Sequence, residues 1–235
     1  MARRSRCNTV RQPAAAYTCR VEARQPGLMD RCITEFDAAL RTVAAAGSPD
    51  EPATPAAART GPEPLTASER DLSARLMRVN HAGEIAAQAL YRGQALVTRD
   101  QALRSALLRA ADEEHEHLVW CRERTTALGA GISQLTPFWY AGALAIGMAA
   151  GLAGDRRSLG FLAETERQVT GHLDGHLARL PGQDQTSRRI VERMRADEQA
   201  HRQEALDRGG VEPPAPVRLA MRLASRVMTT VAWYF

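Results

Sequence analysis

The feature that most constrains this chain is a Glu-x-x-His spacing that occurs twice. Glu114 and His117 form the first copy, and Glu198 and His201 form the second. Residues three apart on a helix lie on the same face, so each pair can contact one metal ion. A single pair would carry little weight, because Glu and His are common on solvated helix faces. The second copy makes the spacing informative.

A lone glutamate precedes each copy at a similar distance. Glu84 lies 30 residues before Glu114, and Glu166 lies 32 residues before Glu198. Each of these glutamates is near the middle of a segment with helical character. Because a helix rises about 1.5 Å per residue, antiparallel packing of the four segments brings the four carboxylates to one level.

Glu164 competes with Glu166 as the candidate from the third segment. The two are only two residues apart and therefore point to different faces of a helix. We prefer Glu166 because it lies in an apolar stripe formed by Leu159, Leu162, Val169 and Leu173.

This layout is the one described for di-iron and di-manganese carboxylate bundles. Four carboxylates offset the charge of two divalent ions, and one His per ion leaves open positions for O₂. Buried without metal, the carboxylates would repel one another and their pKa values would rise. The predicted ligands are Glu84, Glu114, His117, Glu166, Glu198 and His201.

The remaining acidic and imidazole groups near these positions are expected outside the ligand set. Asp197 directly precedes Glu198, and we expect it to orient the His117 ring from a second layer. Surface or second-layer positions are also expected for His81, His115, His172 and His176.

The composition predicts an all-α fold. The periodic segments are rich in Ala, Leu, Arg and Glu, which favour helices, and runs dense in Val, Ile and Thr are missing. Capping and glycine signals place four long helices at about 66–98, 100–128, 158–180 and 184–209. Ser158 is expected to cap the third helix, and Asp184 or Thr186 opens the last. Mostly short connections make them an antiparallel bundle.

The N-terminal part divides into three segments before the domain at 66–235. Residues 1–28 lack apolar periodicity and are expected to be disordered or an over-extended start, with Met29 as the initiator. Residues 29–46 form a short amphipathic helix through Ile33, Phe36, Leu40 and Val43. Residues 47–65 are a linker rich in Pro and Ala.

Residues 125–154 carry no formal charge. The apolar stretch inside this run is shorter than the roughly 20 residues that a spanning helix needs. Phe138, Trp139 and Tyr140 at its start suit a membrane interface. We therefore expect an interfacial helix at about 135–154, the alternative being a helix buried in the core.

The C-terminal segment, 217–235, has a basic row and an apolar face. Arg218, Arg222 and Arg226 recur every four residues beside the apolar residues Leu219, Leu223, Val227 and Val231. Such a helix suits an anionic membrane surface. The alternative, held equally open, is a fifth helix that caps the bundle with its arginines in water.

The overall charge excludes little except nucleic-acid binding. The sequence pI is about 9.2, but every basic residue other than His is Arg, and no basic stripe interleaves with aromatic residues. The four cysteines show no C-x-x-C spacing, which favours a reducing compartment. No apolar segment of the kind found in secretory signals follows the N-terminal arginines.

Four motifs together resemble the demethoxyubiquinone hydroxylases of ubiquinone biosynthesis. The resemblance covers about 29–235 and is carried by Asn80-His81-Ala82-Gly83-Glu84, Glu114-x-x-His117, Ala163-Glu164-Thr165-Glu166 and Asp197-Glu198-x-x-His201. It implies a ferritin-like four-helix bundle in which the six predicted ligands bind two Fe ions, ferrous in the reduced form. His172 matches a family position near the quinone and is implied to contact the substrate or the electron path.

The same resemblance implies a reaction and a location. The family hydroxylates the ring of a polyprenylated quinol with O₂ and two electrons, as a peripheral membrane protein. We expect the cytoplasmic face of a bacterial cell membrane rather than the mitochondrial inner membrane. Other ubiquinone-biosynthesis proteins and a homo-oligomer remain open as partners, as do the prenyl length and the electron donor.

Three other functions compete with this interpretation. A ferritin-like ferroxidase or iron-storage protein and a manganese catalase use similar ligand sets but need no lipid-facing segment. A membrane-associated scaffold is the third, in which the Glu and His pairs form only a solvated face.

Overall fold

A computed structural model describes residues 27–44 and 64–235 of the chain. Within these ranges it contains no strand, and the predicted all-α class is confirmed. The expectations for residues 1–26 and for the linker at 45–63 lie outside the described residues. The helices are α1 (Leu28–Ala44), α2 (Ala67–Val97), α3 (Gln101–Ala127), α4 (Thr136–Leu152), α5 (Asp155–Arg179), α6 (Gln185–Asp207) and α7 (Ala215–Tyr234).

Side-chain caps fix the starts of three bundle helices. The Thr66 hydroxyl accepts the Glu69 N–H, and the Glu69 carboxylate accepts the Thr66 N–H at 2.9 Å, which completes a capping box. Asp100 accepts the N–H groups of residues 102 and 103 at the start of α3. Asp184, rather than Thr186, caps α6 by accepting the Ser187 N–H at 2.9 Å. Local sequence therefore determines where these helices begin.

The start of α5 differs from the prediction. Ser158 was expected to cap this helix, but α5 begins at Asp155, and Gly154 precedes it with a φ of 100° that favours glycine. Ser158 is instead buried inside the helix. Its carbonyl and hydroxyl oxygens accept hydrogen bonds from the Gln94 side chain at 2.8 and 2.9 Å. A contact with α2 has replaced the local capping role.

The four long helices form the predicted ferritin-like bundle. α2 packs with α3 and α5 with α6, and α3 contacts α6 while α2 contacts α5. The two largest of the four apolar clusters among the described residues are formed by these four helices. One includes Leu76, Met77, Trp120, Leu173, Ile190 and Met194, and the other includes Tyr91, Leu103, Leu107, Leu159, Leu162 and Ala205. The predicted ligand positions of all four helices lie between these two clusters in sequence.

Helix α4, which connects the two halves of the bundle, packs closely along α2. A Cβ atom on Gly93 would collide with the Leu144 carbonyl, and one on Gly147 would collide with the Leu90 carbonyl, so the two backbones are in contact. The opposite face of α4 exposes Phe138, Ile146 and Leu152. The helix is thus buried along one face only, and it is not the fully buried core helix of the alternative.

Helices α1 and α7 lie outside the bundle and expose apolar side chains. On α7 only Ala232 is buried, while Leu219, Leu223 and Val227 are exposed. On α1 three of the four apolar residues that predicted the helix face outward: Ile33 is 62%, Phe36 66% and Leu40 53% exposed, whereas Val43 packs against a buried cluster that includes Ile85 and Tyr140.

The inner side of α1 is held by polar contacts. Thr42 donates to the Gln88 side chain at 2.7 Å, and Glu35 lies 3.6 Å from Arg92. In the part of the chain that the structure describes, no helix has both the length and the hydrophobicity to cross a membrane.

Candidate metal centre

The six predicted ligands converge in the middle of the bundle. Glu84 on α2, Glu114 on α3, Glu166 on α5 and Glu198 on α6 are each no more than 2% exposed. His117 and His201 are also buried. The two apolar clusters lie on either side of these groups, so the site is a charged layer inside an otherwise apolar core.

The ligand atoms form two overlapping groups, in each of which the atoms lie within 4.8 Å of one another. One group contains Glu84 and His117, the other contains Glu166 and His201, and both contain Glu114 and Glu198. Each group therefore offers one imidazole and three carboxylates. Two shared carboxylates between two groups are what a pair of bridged metal ions requires.

Many of the polar atoms in this layer have no hydrogen-bond partner within the protein. They are Glu84 Oε2, Glu114 Oε1, both carboxylate oxygens of Glu166 and of Glu198, and His201 Nδ1. Burying a charged oxygen without a partner costs several kcal/mol unless a cation or a proton compensates it. Hard oxygen and imidazole ligands without other partners fit divalent metal ions, so this layer can bind them.

Burial and mutual repulsion shift the acidity of the four carboxylates apart. Burial raises the pKa of Glu84 and of Glu166 well above the usual range, and the charge of Glu198 raises both further. Burial opposes the charge of Glu198 as well, but the neighbouring Glu166 carboxyl group and the His117 and His201 imidazoles, at 3.6 and 3.5 Å, lower its pKa. In the metal-free protein, protons on Glu84 and Glu166 therefore reduce the negative charge of the layer.

The two imidazoles respond in the opposite sense to isolated buried histidines. Burial disfavours their charged forms, yet contacts with carboxylates raise the pKa of His117 well above its usual range and that of His201 to about 12. The main acidic contacts are Asp197 and Glu114 for His117, and Glu114 and Glu198 for His201. Without metal, both imidazoles are therefore in the doubly protonated, positively charged form at neutral pH.

Asp197 lies against the outer side of His117. Its Oδ2 is 3.2 Å from His117 Nε2 and accepts a hydrogen bond from Arg193 at 2.8 Å. His117 Nδ1 faces the layer, 3.2 Å from Glu114 Oε2. In this arrangement His117 Nε2–H donates a hydrogen bond to Asp197, so a metal ion would bind at Nδ1 in place of the Nδ1 proton. The expected effect of Asp197 on metal binding stays a prediction.

Glu113 plays the matching part at the other histidine, and it was missed from the sequence. Its Oε2 is 2.6 Å from His201 Nε2, and His201 Nδ1 faces Glu114 and Glu198. The duplication contains the signal: an acid directly precedes the Glu of each Glu-x-x-His pair. Each outer carboxylate holds the histidine of the opposite pair, so α3 and α6 are tied together twice.

Other candidates lie away from the layer. Glu164 is buried but binds Arg167 and Gln168 at 2.7 Å, so it faces the opposite side of α5. His172 is not in the layer; its ring lies 3.9 Å from that of His176. His81 is fully buried and belongs to neither ligand group, and its burial lowers its pKa to about 3.

A small, mainly apolar groove lies next to the layer. It has a volume of about 30 Å³, lies between α3, α5 and α6, and is lined by residues such as Leu107, Ala110 and Leu162. His201 also lines it and, at 8%, is the most exposed of the six candidate ligands. Its size and apolar walls suit a diatomic gas better than a ring.

An all-α bundle with two Glu-x-x-His helices and two single-Glu helices around a buried carboxylate layer is a ferritin-like carboxylate protein. Comparison with known sequences gives the family. Residues 71–232 match the family model described as ubiquinone biosynthesis protein COQ7. The chain belongs to this family, which confirms the resemblance drawn from the four motifs.

Relatives cover nearly the same length. A protein of Azoarcus sp. (strain BH72), named 3-demethoxyubiquinol 3-hydroxylase, is 55% identical over 207 residues. Proteins of the same name from Burkholderia pseudomallei (strain K96243) and Burkholderia mallei (strain ATCC 23344) are each 52% identical over 207 residues. In each case the match covers 88% of this chain and 99% of the relative.

The metal-free protein is expected to lose stability as the pH rises. A group whose pKa is higher in the folded chain stabilises the fold at low pH and loses that contribution as the pH rises through its folded pKa. This holds for Glu84, Glu166, His117 and His201, and for His201 the range runs from 6.5 to about 12. Glu198 has a lowered pKa, so its contribution to stability is lost only as the pH falls below 4.5.

Metal binding should remove this dependence, because the ions replace the protons. Thermal unfolding measured with a chelator should therefore show a melting temperature that falls above pH 6.5. With Fe(II) or Mn(II) present the melting temperature should be higher and nearly flat. Equal slopes in the two conditions would contradict the assignment of the layer as a metal site.

Removing either outer carboxylate should weaken metal binding without unfolding the protein. We expect Asp197→Asn and Glu113→Gln each to lower metal affinity by about 10–100-fold, because the histidine loses the partner that fixes its ring. Glu116→Gln is the matched control, because Glu116 lies on α3 one residue before His117 but its side chain is exposed. Anaerobic titration with Mn(II) measures the affinity; equal affinities in all three variants would refute the role.

Proposed function

We propose that this chain is a 3-demethoxyubiquinol 3-hydroxylase, a di-iron monooxygenase of ubiquinone biosynthesis. The substrate is the benzoquinol ring of a polyprenylated demethoxyubiquinol. One oxygen atom of O₂ enters the ring as a hydroxyl group, and two electrons and two protons reduce the other to water. The observation that carries this proposal is the buried layer with two overlapping ligand groups, in a chain 52–55% identical to proteins of that name.

The residues that would hold iron are Glu84, Glu114, His117, Glu166, Glu198 and His201, of which Glu114 and Glu198 belong to both ligand groups. Iron bound there supplies the redox chemistry with O₂ that amino-acid side chains lack. The shared carboxylates balance charge between the two groups. Asp197 and Glu113 accept hydrogen bonds from Nε2–H of His117 and His201, respectively. These contacts keep Nδ1 of each ring directed into the layer.

The surrounding protein keeps bulk water away from the layer. The two apolar clusters close it along the bundle axis, with fully buried residues such as Met77 and Met194 on one side and Tyr91 on the other. A dry site strengthens the electrostatic hold on the metal ions and prevents side reactions. The apolar groove at His201 offers O₂ a route into the site that excludes larger molecules.

The lipid substrate requires contact with a membrane. We propose that the exposed apolar faces of α4 and α7 lie in the membrane interface and make this chain a peripheral membrane protein on the cytoplasmic face of a bacterial cell membrane. Phe138 and Ile146 on α4 and Leu223 and Val227 on α7 support this. Arg218, Arg222 and Arg226 add positive charge toward anionic lipids.

Loss of one buried carboxylate should abolish the reaction, whereas loss of its neighbour should not. Glu166→Gln is expected to reduce turnover by more than about 100-fold, beyond the effect of losing an outer partner. Glu164→Gln is the control, because Glu164 binds Arg167 and Gln168 on the other side of α5.

Both variants are tested in a strain that lacks its own final ring hydroxylase. The wild type and Glu164→Gln should restore ubiquinone, and Glu166→Gln should leave the demethoxy compound to accumulate. If the wild type fails but binds and oxidises many irons per chain, a ferroxidase or storage function replaces the proposal. Activity only in Glu166→Gln would make Glu164 the ligand.

Membrane contact is tested with lipid vesicles. The purified chain should float with vesicles that contain anionic lipid, and each arginine near the surface is expected to contribute about 1 kcal/mol. Arg218→Gln, Arg222→Gln and Arg226→Gln combined should therefore weaken binding by more than about tenfold at low salt. A matched triple variant on α6, Arg189→Gln, Arg195→Gln and Arg202→Gln, should not. Equal flotation of both triple variants would exclude the role of α7.

A further inference from the structure

The apolar cluster around Leu103 and Leu107, on one side of the layer, contains a single side chain with a polar atom, Tyr91. The other buried members of this cluster are alanines and leucines. Tyr91 is 1% exposed, and its hydroxyl has no hydrogen-bond partner among the described residues. A buried hydroxyl without a partner destabilises the folded chain relative to a phenylalanine of the same shape. Packing alone therefore does not account for a tyrosine at this position.

The Tyr91 ring is directed toward the layer. Tyr91 lies seven residues after Glu84 on α2, which is two helical turns along the same face. Aromatic side chains on a helix point back toward its N-terminus, which here is the direction of Glu84. The centre of the phenol ring lies 6.3 Å from that of the His201 ring on α6. The phenol therefore reaches across the interior of the bundle to the second Glu-x-x-His pair.

The small groove beside the layer leads to the same place. Leu107, Leu162 and Ala205 belong both to the wall of the groove and to the cluster that surrounds Tyr91. His201 lines the groove as well. A diatomic molecule that enters the groove therefore meets the layer at the histidine next to the Tyr91 ring.

The six candidate ligands offer such a molecule no hydrogen-bond donor once metal is bound. Ionised carboxylates only accept hydrogen bonds, and a neutral histidine that binds metal through Nδ1 has its one N–H at Nε2. In His117 and His201 that N–H faces outward, to Asp197 and Glu113 respectively. A small ligand that gains negative charge in the site needs a donor from another residue.

We propose that the Tyr91 hydroxyl is the hydrogen-bond donor to the small ligand that binds at the group of Glu166 and His201, which is O₂ in the proposed reaction. The proposal rests on the proposed function and adds a residue that contacts the reacting molecule. The hydroxyl has no acceptor within the described chain because its acceptor arrives with the ligand. Hydrogen bonds to charged acceptors are stronger than those between neutral groups, so the contact strengthens as negative charge develops on the ligand.

The other half of the layer contains a competing donor. Trp120 Nε1 also has no partner in the part of the chain that the structure describes, and the Trp120 ring centre lies 5.1 Å from that of His117. Neither of these two residues lines the groove, so the groove favours Tyr91. Trp120→Phe is included in the experiment to test the competing assignment.

Nitric oxide is a diatomic probe that tests the donor without the quinol. The full chain loaded with Fe(II) is mixed with nitric oxide without O₂, and visible absorption gives the rate of release. Tyr91→Phe should release nitric oxide at least about tenfold faster, because the bound molecule draws negative charge from Fe(II) and loses a charge-assisted hydrogen bond. Its iron content should equal that of the wild type. Its melting temperature should not fall, since phenylalanine removes a buried hydroxyl without a partner.

Tyr140→Phe is the matched control. Tyr140 is 3% exposed, and its hydroxyl likewise lacks a hydrogen-bond partner among the residues described. It belongs to a different apolar cluster and does not line the groove. The same chemical change there should leave the release of nitric oxide at the wild-type rate.

The vibrational spectrum gives a readout that a change in packing does not reproduce. In the wild type, exchange into D₂O should shift the N–O stretching frequency of bound nitric oxide. The shift should persist in Tyr140→Phe and disappear in Tyr91→Phe. A wild type without this shift would refute the proposal even before any variant is made, and so would a shift that is lost in Trp120→Phe but kept in Tyr91→Phe.

Binding of nitric oxide is independent of quinol hydroxylation, so the two proposals can fail separately. If Tyr91→Phe equals a wild type that hydroxylates the quinol, both in release rate and in the D₂O shift, the donor is refuted and the proposed function stands. If the shift depends on Tyr91 in a chain that restores no ubiquinone, the donor stands and the proposed function fails.

Discussion

The structure depends on one costly arrangement: four carboxylates and two imidazoles buried at a single level of a helical bundle. Ionised groups in such surroundings are stable only when they are paired, protonated or bound to metal. The two apolar clusters on either side give the free energy that holds the layer in place, and they also make the layer dry. Apolar packing and charge burial are therefore not separate features of this fold. Each helix contributes one polar turn to the layer and apolar turns above and below it.

The outer carboxylates show how the duplicated sequence becomes a nearly symmetric site. Asp197 on α6 holds His117 on α3, and Glu113 on α3 holds His201 on α6. Removal of one contact leaves the other, so the two helices keep their relative position when one histidine loses its partner. Each acid is therefore adjacent in sequence to the ligands of its own helix, but it contacts the histidine of the other helix.

Most of the bundle and the members of the layer follow from sequence, since both depend on local rules. Spacing of three places Glu114 and His117 on one face, and the caps at Thr66, Asp100 and Asp184 need only neighbouring residues. The exceptions depend on contacts between helices. Gln94 binds Ser158 and removes it from its predicted cap. The role of Glu113 requires the relative position of α3 and α6, which no local pattern encodes, although the duplication hints at it.

The outward orientation of the apolar face of α1 also depends on contacts between helices. Periodicity identified this helix correctly, but periodicity does not tell which medium its apolar face meets. The inner side of α1 combines polar contacts of Glu35 and Thr42 with α2 and packing of the small residues Ala39 and Val43, so its larger apolar side chains face outward. Exposed apolar residues on three helices, α1, α4 and α7, then surround a bundle whose own core is complete.

The glycine contact between α2 and α4 has a mechanical consequence. Gly93 lies nine residues after Glu84 on the same helix, and its backbone touches that of α4. No side chain stands between the two helices at this point that could change its rotamer and let them slide. A push on the apolar face of α4 is therefore transmitted rigidly to the helix that carries Glu84. Any opening for a bulky molecule has to come from helices that are held by side chains rather than by such a backbone contact.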